Sequence, residues 1–514
     1  MLRLVGLLAC VVVLLAPPVL VRATADTSPL ASDPTGVDAE RNALKDGVEA
    51  TRNSDSGRGL AILKDVMAAP EFAQLSEDEQ HTALLFAGLD SLDAADFKAA
   101  EDLLKKASLM PEAQGVDWHE RFIASYSNSD MADAALCLET IAARWPATLT
   151  KVKDRAVSRM IRDIRKLSDG KDRQFDLISA LDDAHWAPQD PATDVSQVWR
   201  DFVRDLLAKG AVKRAQTAAE DVRNPYILIS MKVDHRFDPI VQSAPDRFVV
   251  ATAMSRYLDD LHGKMTAHPS SLKVVNQLAF ALSWEGRPDE ALKLVDDALL
   301  KALPPDGSKS SFADAEDQVI WTMNARSRAL VLLGRPDEAA AQLERAARRP
   351  ENGAVNVSQA INLGHLYAHM GRPADAIAAV ADVAPRNVSP YGLLAAEEVR
   401  ALAYAQTGDT AALAKSIALA RTKVDELPDV LADMLFFAND LDGVAKLYIQ
   451  GLSDPDRRSD VLLELQDWRK PPPLSAFDVE LAHRMDAVRN RADIRAAVAK
   501  FGHIETFALY EQAT

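Results

Sequence analysis

Three times in the second half of the chain a run of small and apolar residues ends in Gly-Arg-Pro: Gly286-Arg287-Pro288-Asp289-Glu290-Ala291, Gly334-Arg335-Pro336-Asp337-Glu338-Ala339 and Gly371-Arg372-Pro373-Ala374-Asp375-Ala376. Glycine tolerates the left-handed conformation that closes a helix. Proline fits the first turn of the next one, where its missing N–H is not needed, and the carboxylates sit at the positive end of the helix dipole. Each hexapeptide is therefore a helix stop joined to a helix start, and a chain that carries several must fold as antiparallel helical hairpins. The turn glycines Gly286, Gly334, Gly371 and Gly408 are 48, 37 and 37 residues apart, the length of one helix pair plus a linker in a solenoid. The longer first gap holds an inserted loop, Pro304-Pro305-Asp306-Gly307-Ser308-Lys309-Ser310-Ser311.

Hydrophobic residues make up 48% of the 514 residues while aromatics are only 6%, so the apolar content is carried by alanine and leucine, which suit closely packed helices better than strands. The expected fold class is all-α. A chain this long exceeds one compact core, and the repeats favour an extended array over several separate domains.

Residues 1–25 read as a signal peptide: Arg3, an apolar stretch from Leu4 to Ala16, Pro17-Pro18, and a small-residue site at Ala23-Thr24-Ala25 with cleavage before Asp26. Two rival readings are an uncleaved anchor over Leu4 to Val21 and lipidation at Cys10 after Leu7-Leu8-Ala9. Cleavage leaves Cys137 as the single thiol, which excludes an intrachain disulfide. It also removes Arg3 and Arg22 and no acid, making the formal charge of −17 still more negative. Such a chain is expected to avoid nucleic acid and anionic lipid, and the charge keeps an exported protein soluble.

Residues 26–40 read as a flexible leader, because Thr27 to Val37 is rich in Ser, Pro, Asp and Gly. Helical patterning over 41–223 suggests pairs at Ala43 to Arg52 with Gly59 to Ala68, His81 to Leu89 with Phe97 to Leu109, and Trp118 to Tyr126 with Ala132 to Arg144. Asp169-Gly170 and Lys209-Gly210 continue the scheme as turns. Residues 224–270 read as a junction, broken by Pro225, Pro239 and Pro245, with Tyr226-Ile227-Leu228-Ile229 locally strand-like. The clearest array spans 271–452, and residues 453–514, with a helical segment over Ala476 to Lys500, read as a C-terminal helical cap.

The 271–452 stretch resembles the tetratricopeptide repeat family. Leu278-Ala279 with Leu282, then Ala291, Val295 and Ala298, match its two-helix pattern; Leu363-Gly364 with Tyr367, then Ala376, Val380 and Val383, match except at the last position. Two further repeats are more degenerate: Ser327 and Leu330 with Ala339, Leu343 and Ala346, and Ala401 and Tyr404 with Leu413, Ile417 and Ala420, where Arg326 and Arg400 replace the expected leucine. Upstream, Ala134, Leu138 and Ile141 with Pro146 fit only the second helix. The resemblance implies a solenoid of helical hairpins wound as a right-handed superhelix, with degenerate repeats in the N-terminal half.

Catalytic motifs are scarce. The sequence has no G-x-S-x-G elbow, no G-x-x-x-x-G-K-[ST] and no H-E-x-x-H, so the chain reads as a non-enzyme without a cofactor. Cys137, flanked by Leu136 and Leu138, reads as a packing residue. Asn439-Asp440-Leu441-Asp442-Gly443 has too few ligands for a calcium loop and reads as an inter-helix turn. His365 and His369, four apart on one helix, share a face, but no third ligand for a metal is identifiable.

By the family resemblance, the first helices line a concave groove that shows Phe280 and Trp284, then Arg328 and Leu332, then His365 and His369, then Leu402 and Gln406. Such an aromatic and cationic strip suits an extended peptide or a partner helix. The alternative for each residue is packing against a neighbouring helix. The chain is expected to be an exported, periplasmic adaptor or scaffold with a protein partner, and not an integral membrane protein once its signal is cleaved. A different reading makes it the helical accessory part of a cell-envelope enzyme or of a polysaccharide or protein export complex.

Overall fold

The computed structural model describes residues 36–350, 356–384, 388–424 and 426–511. The signal-peptide, anchor and lipidation readings lie outside these residues, as does most of the leader. The chain divides into two compact units, residues 1–137 and 138–514.

In the first unit the helices are α1 (Gly36–Arg52), α2 (Ser56–Ala68), α3 (Glu77–Asp93), α4 (Phe97–Ser108), α5 (Gly115–Ser127) and the first half of α6 (Met131–Arg144). Helix α1 begins inside the stretch read as a leader, because Val37 joins the apolar cluster of Leu44, Val48 and Leu63. Each pairing expected from the periodicity is present, with boundaries shifted by a few residues. A buried ionic network ties α4, α5 and α6. The Arg121 guanidinium donates to both carboxylate oxygens of Asp133, at 2.9 and 2.5 Å, and to Ser108 at 3.1 Å, while Ser125 donates to Asp133 at 2.7 Å. Burial alone would raise the Asp133 pKa, but these hydrogen bonds hold it well below the usual carboxylate range. Cys137 is buried one turn from Asp133, and burial pushes its thiol up, away from thiolate chemistry.

The second unit opens with α7 (Asp154–Ile164), α8 (Gly170–Asp183), α9 (Ser196–Ala208), α10 (Val212–Ala219), α11 (Pro225–Lys232), α12 (Asp238–Ser243) and α13 (Val250–Ala267). The array follows: α14 (Leu272–Glu285), α15 (Pro288–Ala302), α16 (Ala315–Leu332), α17 (Pro336–Ala347), α18 (Val357–His369), α19 (Pro373–Ala379), α20 (Pro390–Thr407), α21 (Thr410–Arg421), α22 (Pro428–Phe437), α23 (Leu441–Ser453) and α24 (Arg458–Glu464). It closes with β1 (Asp467–Arg469), α25 (Ala476–Arg489), α26 (Ala492–Phe501) and β2 (Thr506–Tyr510). The fold is a tetratricopeptide-like array of helical hairpins.

The strand-like reading of Tyr226 to Ile229 is corrected: these residues lie in α11. Asn224 caps the helix by accepting the Tyr226 N–H at 2.9 Å, Pro225 occupies its first turn, and Tyr226, Ile229 and Val233 bury one helical stripe. The local run of β-formers yields to tertiary burial.

The Gly-Arg-Pro turns share one geometry. Gly286, Gly334 and Gly371 have φ of 85°, 72° and 72°. The N–H of the following arginine reaches back five residues, Arg287 to Leu282, Arg335 to Leu330 and Arg372 to Tyr367, at 2.8, 2.9 and 2.8 Å. This is the Schellman closure. Each arginine side chain then pairs at 2.7 Å with the acid three residues on, Glu290, Glu338 or Asp375. Close approach between helices depends on small residues: a Cβ on Gly364 in α18 would stand 2.7 Å from Val399 of α20 and 3.2 Å from Val380.

Candidate functional site

The eight groove candidates lie on α14, α16, α18 and α20, as the repeat pattern requires. Several of them meet the chain's own segment 467–511. Strands β1 and β2 pair in parallel, Asp467 with Thr506 and Trp468 with Phe507, with an irregularity before Arg469. A two-stranded pair is marginal alone, so it depends on what it packs against. Along β2, Phe507 and Leu509 are buried while Thr506 and Ala508 are exposed, the alternation of a one-sided strand.

Aromatic rings join this sheet to the array. Trp284 of α14 meets the edge of Tyr226 at 5.2 Å, Tyr226 meets Trp468 at 5.3 Å, and Trp468 meets Phe507 at 5.2 Å. Each such pair contributes about 0.5–1.5 kcal/mol beyond its area burial. Phe280 is half-buried against the same cluster. The Tyr226 hydroxyl donates to the Tyr510 carbonyl, and Arg328 donates at 2.6 Å to the carbonyl of Glu511. Tyr226 of α11 and Arg328 of α16 thus hold the backbone, not the side chains, of an extended segment. Burial lowers the Arg328 pKa, and its Nε has no hydrogen-bond partner.

Further along, His369 meets Asp478 of α25 at 2.8 Å. His365 is held neutral, its pKa pushed down to about 4 first by burial and then by the neighbouring His369. Gln406 donates to the Ala368 carbonyl at 2.7 Å and leaves its own carbonyl oxygen unpaired. Leu402 is fully buried and Leu332 half-buried. The structure therefore brings Trp284 onto Tyr226 and Arg328 onto the flank of β2, takes His369 to α25, and leaves Leu402 and Gln406 in helix packing. Residues 453–514 include this sheet as well as helices.

Sequence reasoning missed an acidic set beside these residues. Glu398 lies one turn before Leu402 on α20, Asp433 lies on α22 and Glu464 on α24. Burial raises Glu398 and Glu464 to about 7, and burial followed by the charge of Glu398 raises Asp433 well above the carboxylate range. Tyr448 donates to Glu464. Extending the groove stripe one turn back from Leu402 finds Glu398, but Asp433 and Glu464 belong to helices that the repeat pattern did not reach.

No family model matches this chain, and no curated protein matches it. Solved structures give likenesses that span most of its length. The crystal structure of the APC/C hetero-tetramer Cut9-Hcn1 matches at 11% identity over 91% of this chain and 96% of that chain, with a TM-score of 0.28. A Rap protein complexed with competence and sporulation factor matches at 12% identity over 87% and 99%, with a TM-score of 0.28. The yeast Tom70 matches at 11% identity over 90% and 98%, with a TM-score of 0.20. Superpositions this loose carry no argument, and the fold class rests on the chain's own hairpins and their turn chemistry.

Proposed function

We propose that the chain is an exported, periplasmic scaffold that binds another protein non-covalently through the inner helices α14, α16, α18 and α20. The observation that carries this reading is the pair of bonds from Tyr226 and Arg328 to the backbone carbonyls of Tyr510 and Glu511. A surface that grips an extended segment through its main chain suits a partner peptide in the same conformation, because carbonyl recognition is indifferent to sequence. The aromatic group of Trp284, Tyr226 and Trp468 supplies the apolar part of such a site. Export is supported by the Arg3, Leu4 to Ala16 and Ala23-Thr24-Ala25 pattern. Among the described residues no helix is long and apolar enough to cross a membrane.

The test is photo-crosslinking in cells from probes at Leu332 and His369 on the inner helices, and at Leu300 and Leu419, which are exposed on second helices. The reading predicts a partner captured from the inner positions alone, in the periplasmic fraction, with more capture when Arg328→Ala loosens the resident segment. Capture confined to Leu300 or Leu419 overturns it.

A further inference from the structure

The second unit holds a cavity of about 190 Å³ that neither the array's inner helices nor the segment 467–511 uses. It lies between the α8–α9 loop, α9, α13 and the start of α14. Its walls include Trp186, Trp199 and Tyr257, which are 8%, 4% and 7% exposed. The loop that frames it is firmly tied. Asp154 accepts the N–H groups of Gln189 and Asp190 at 3.1 and 2.7 Å, and Gln277 donates to the Ala192 carbonyl at 2.6 Å. Asp194 accepts from Ser196 N–H at 2.9 Å and from the Asn224 amide at 2.7 Å. The wall is therefore set before any ligand arrives.

Two features of the lining are unspent. The indole N–H groups of Trp186 and Trp199 and the hydroxyl of Tyr257 have no hydrogen-bond partner among the described residues, yet none is sealed from solvent. The Tyr257 hydroxyl senses the carboxylates of both Asp194 and Asp260, which places it among the charges of the lining. The charges themselves do not balance. Asp190 is matched by Lys273 at 2.6 Å, and Asp260 by Lys264 at 2.8 Å with Arg223 at 3.8 Å. Among the described residues Asp194 and Asp221 form no ion pair, Arg223 and Arg247 acting on Asp221 only at longer range, so the surplus is negative. The two cations of the lining are already engaged, which disfavours an anion. An entirely apolar guest would leave the negative surplus of the lining uncompensated.

We propose that this cavity binds a small organic cation, an amine or quaternary ammonium with an apolar body, its charge set against the faces of Trp186, Trp199 and Tyr257 and against Asp194 and Asp221. Aromatic faces attract such cations through their quadrupoles, the more so when desolvated. Nearby carboxylates add the long-range pull that brings the ligand in.

The test uses the full chain and titrates benzyltrimethylammonium by calorimetry and tryptophan emission, beside benzenesulfonate and glucose. The expected result is saturable binding of the cation alone, weakened at least tenfold by Asp221→Asn and further by Asp194→Asn, with melting temperatures held close to wild type. Asp221 bonds through its backbone N–H to the Ala218 carbonyl, and its carboxylate makes no hydrogen bond among the described residues, so its variant reports on charge and not on folding. Absence of saturable cation binding, unchanged affinity in both variants, or preferential binding of the sulfonate or the sugar overturns the proposal.

Discussion

The first unit and the array of the second close their hairpins with one backbone geometry and different residues. In the array from α14 to α19 the left-handed position is Gly286, Gly334 or Gly371, followed by arginine and proline, whereas Gly408 and Asn439 further along are followed by Asp409 and Asp440. In the first unit the same position is Ser54, Ala95 or Ser129, with φ of 64°, 56° and 66°, followed by Asp55, Asp96 or Asp130. Each aspartate N–H makes the same long return bond, to Ala50, Ser91 and Ser125, at 2.9, 2.9 and 2.8 Å. Its carboxylate then caps the next helix, accepting from Arg58, Ala99 and Asp133. A side-chain cap, which Asp409 and Asp440 also supply in the array, thus does in the first unit what a proline start and an arginine–acid pair do at the Gly-Arg-Pro turns. The lesson is that hairpin repeats persist through turns that share no residue type, and that strain at a non-glycine left-handed residue is offset by capping.

The comparison is broken most forcefully at the buried polar network, which stabilises the first unit where the array relies on alanine and leucine. Arg121→Ala leaves Asp133 buried without its cation and is expected to cost about 3–5 kcal/mol, read by urea denaturation with segment-resolved hydrogen exchange. A loss confined to a few tenths would show that the network is incidental.

Titration distinguishes the acidic set of α20, α22 and α24 from Asp133 next, with opposite signs. Glu398, Asp433 and Glu464 keep their protons in the folded chain above the pH at which the unfolded chain has released them. The contribution of Glu398 and Glu464 to stability therefore falls as pH rises from about 4.5 to about 7, and Asp433 adds a fall of the same sign. Between pH 5 and pH 8 each of these two glutamates is expected to account for a loss of roughly 2–3 kcal/mol in the second unit. Asp133, whose folded pKa is depressed, contributes fully above the ordinary carboxylate range and loses that contribution only as pH falls below it. Melting profiles that rise through this window for the second unit contradict the assignment, and Glu398→Gln is expected to flatten the slope.

Close helix approach is common to both units and is expected to respond alike. A Cβ on Gly88 would stand 2.6 Å from Leu104 in the first unit, as one on Gly364 crowds Val399 in the second. Gly88→Ala and Gly364→Ala are each predicted to cost about 1–3 kcal/mol. At the turns the signs diverge. Gly334→Ala meets no steric neighbour, so its expected cost of about 1 kcal/mol is purely conformational, whereas Ala95→Gly should stabilise by about 0.5–1 kcal/mol. Equal and same-signed shifts in melting temperature would refute the shared geometry. Smallest of all is Arg335→Ala: its pair with Glu338 is exposed, and its melting temperature should differ least from wild type.

These turns explain what the sequence could and could not reveal. Glycine and proline are conspicuous at fixed positions, so the array from α14 to α20 was legible, including the small residues that let helices close on one another. Ser54, Ala95 and Ser129 carry no such mark, and the first unit was visible only through its apolar stripes. Tyr226 to Ile229 misled because a run of β-formers was capped by Asn224 and buried as a helix. The groove candidates share α14, α16, α18 and α20, but the segment that Arg328 meets is not foreseeable from the repeat pattern. Phe507 to Tyr510 is a short alternating run distant in sequence from the rings it meets, and local pattern carries no information about such a contact. Glu398, Asp433 and Glu464 were missed for a related reason, since proximity across three helices creates their shared protonation.

The most direct measurement is amide hydrogen exchange along β2 in the full chain, compared between wild type and Tyr226→Phe/Arg328→Ala. The structure predicts slow exchange at the β2 amides in wild type, markedly faster exchange in the variant, and unchanged protection in α1 to α5. Fast exchange of β2 in wild type, or equal protection in both proteins, would contradict the claim that the inner residues hold the chain's own extended segment.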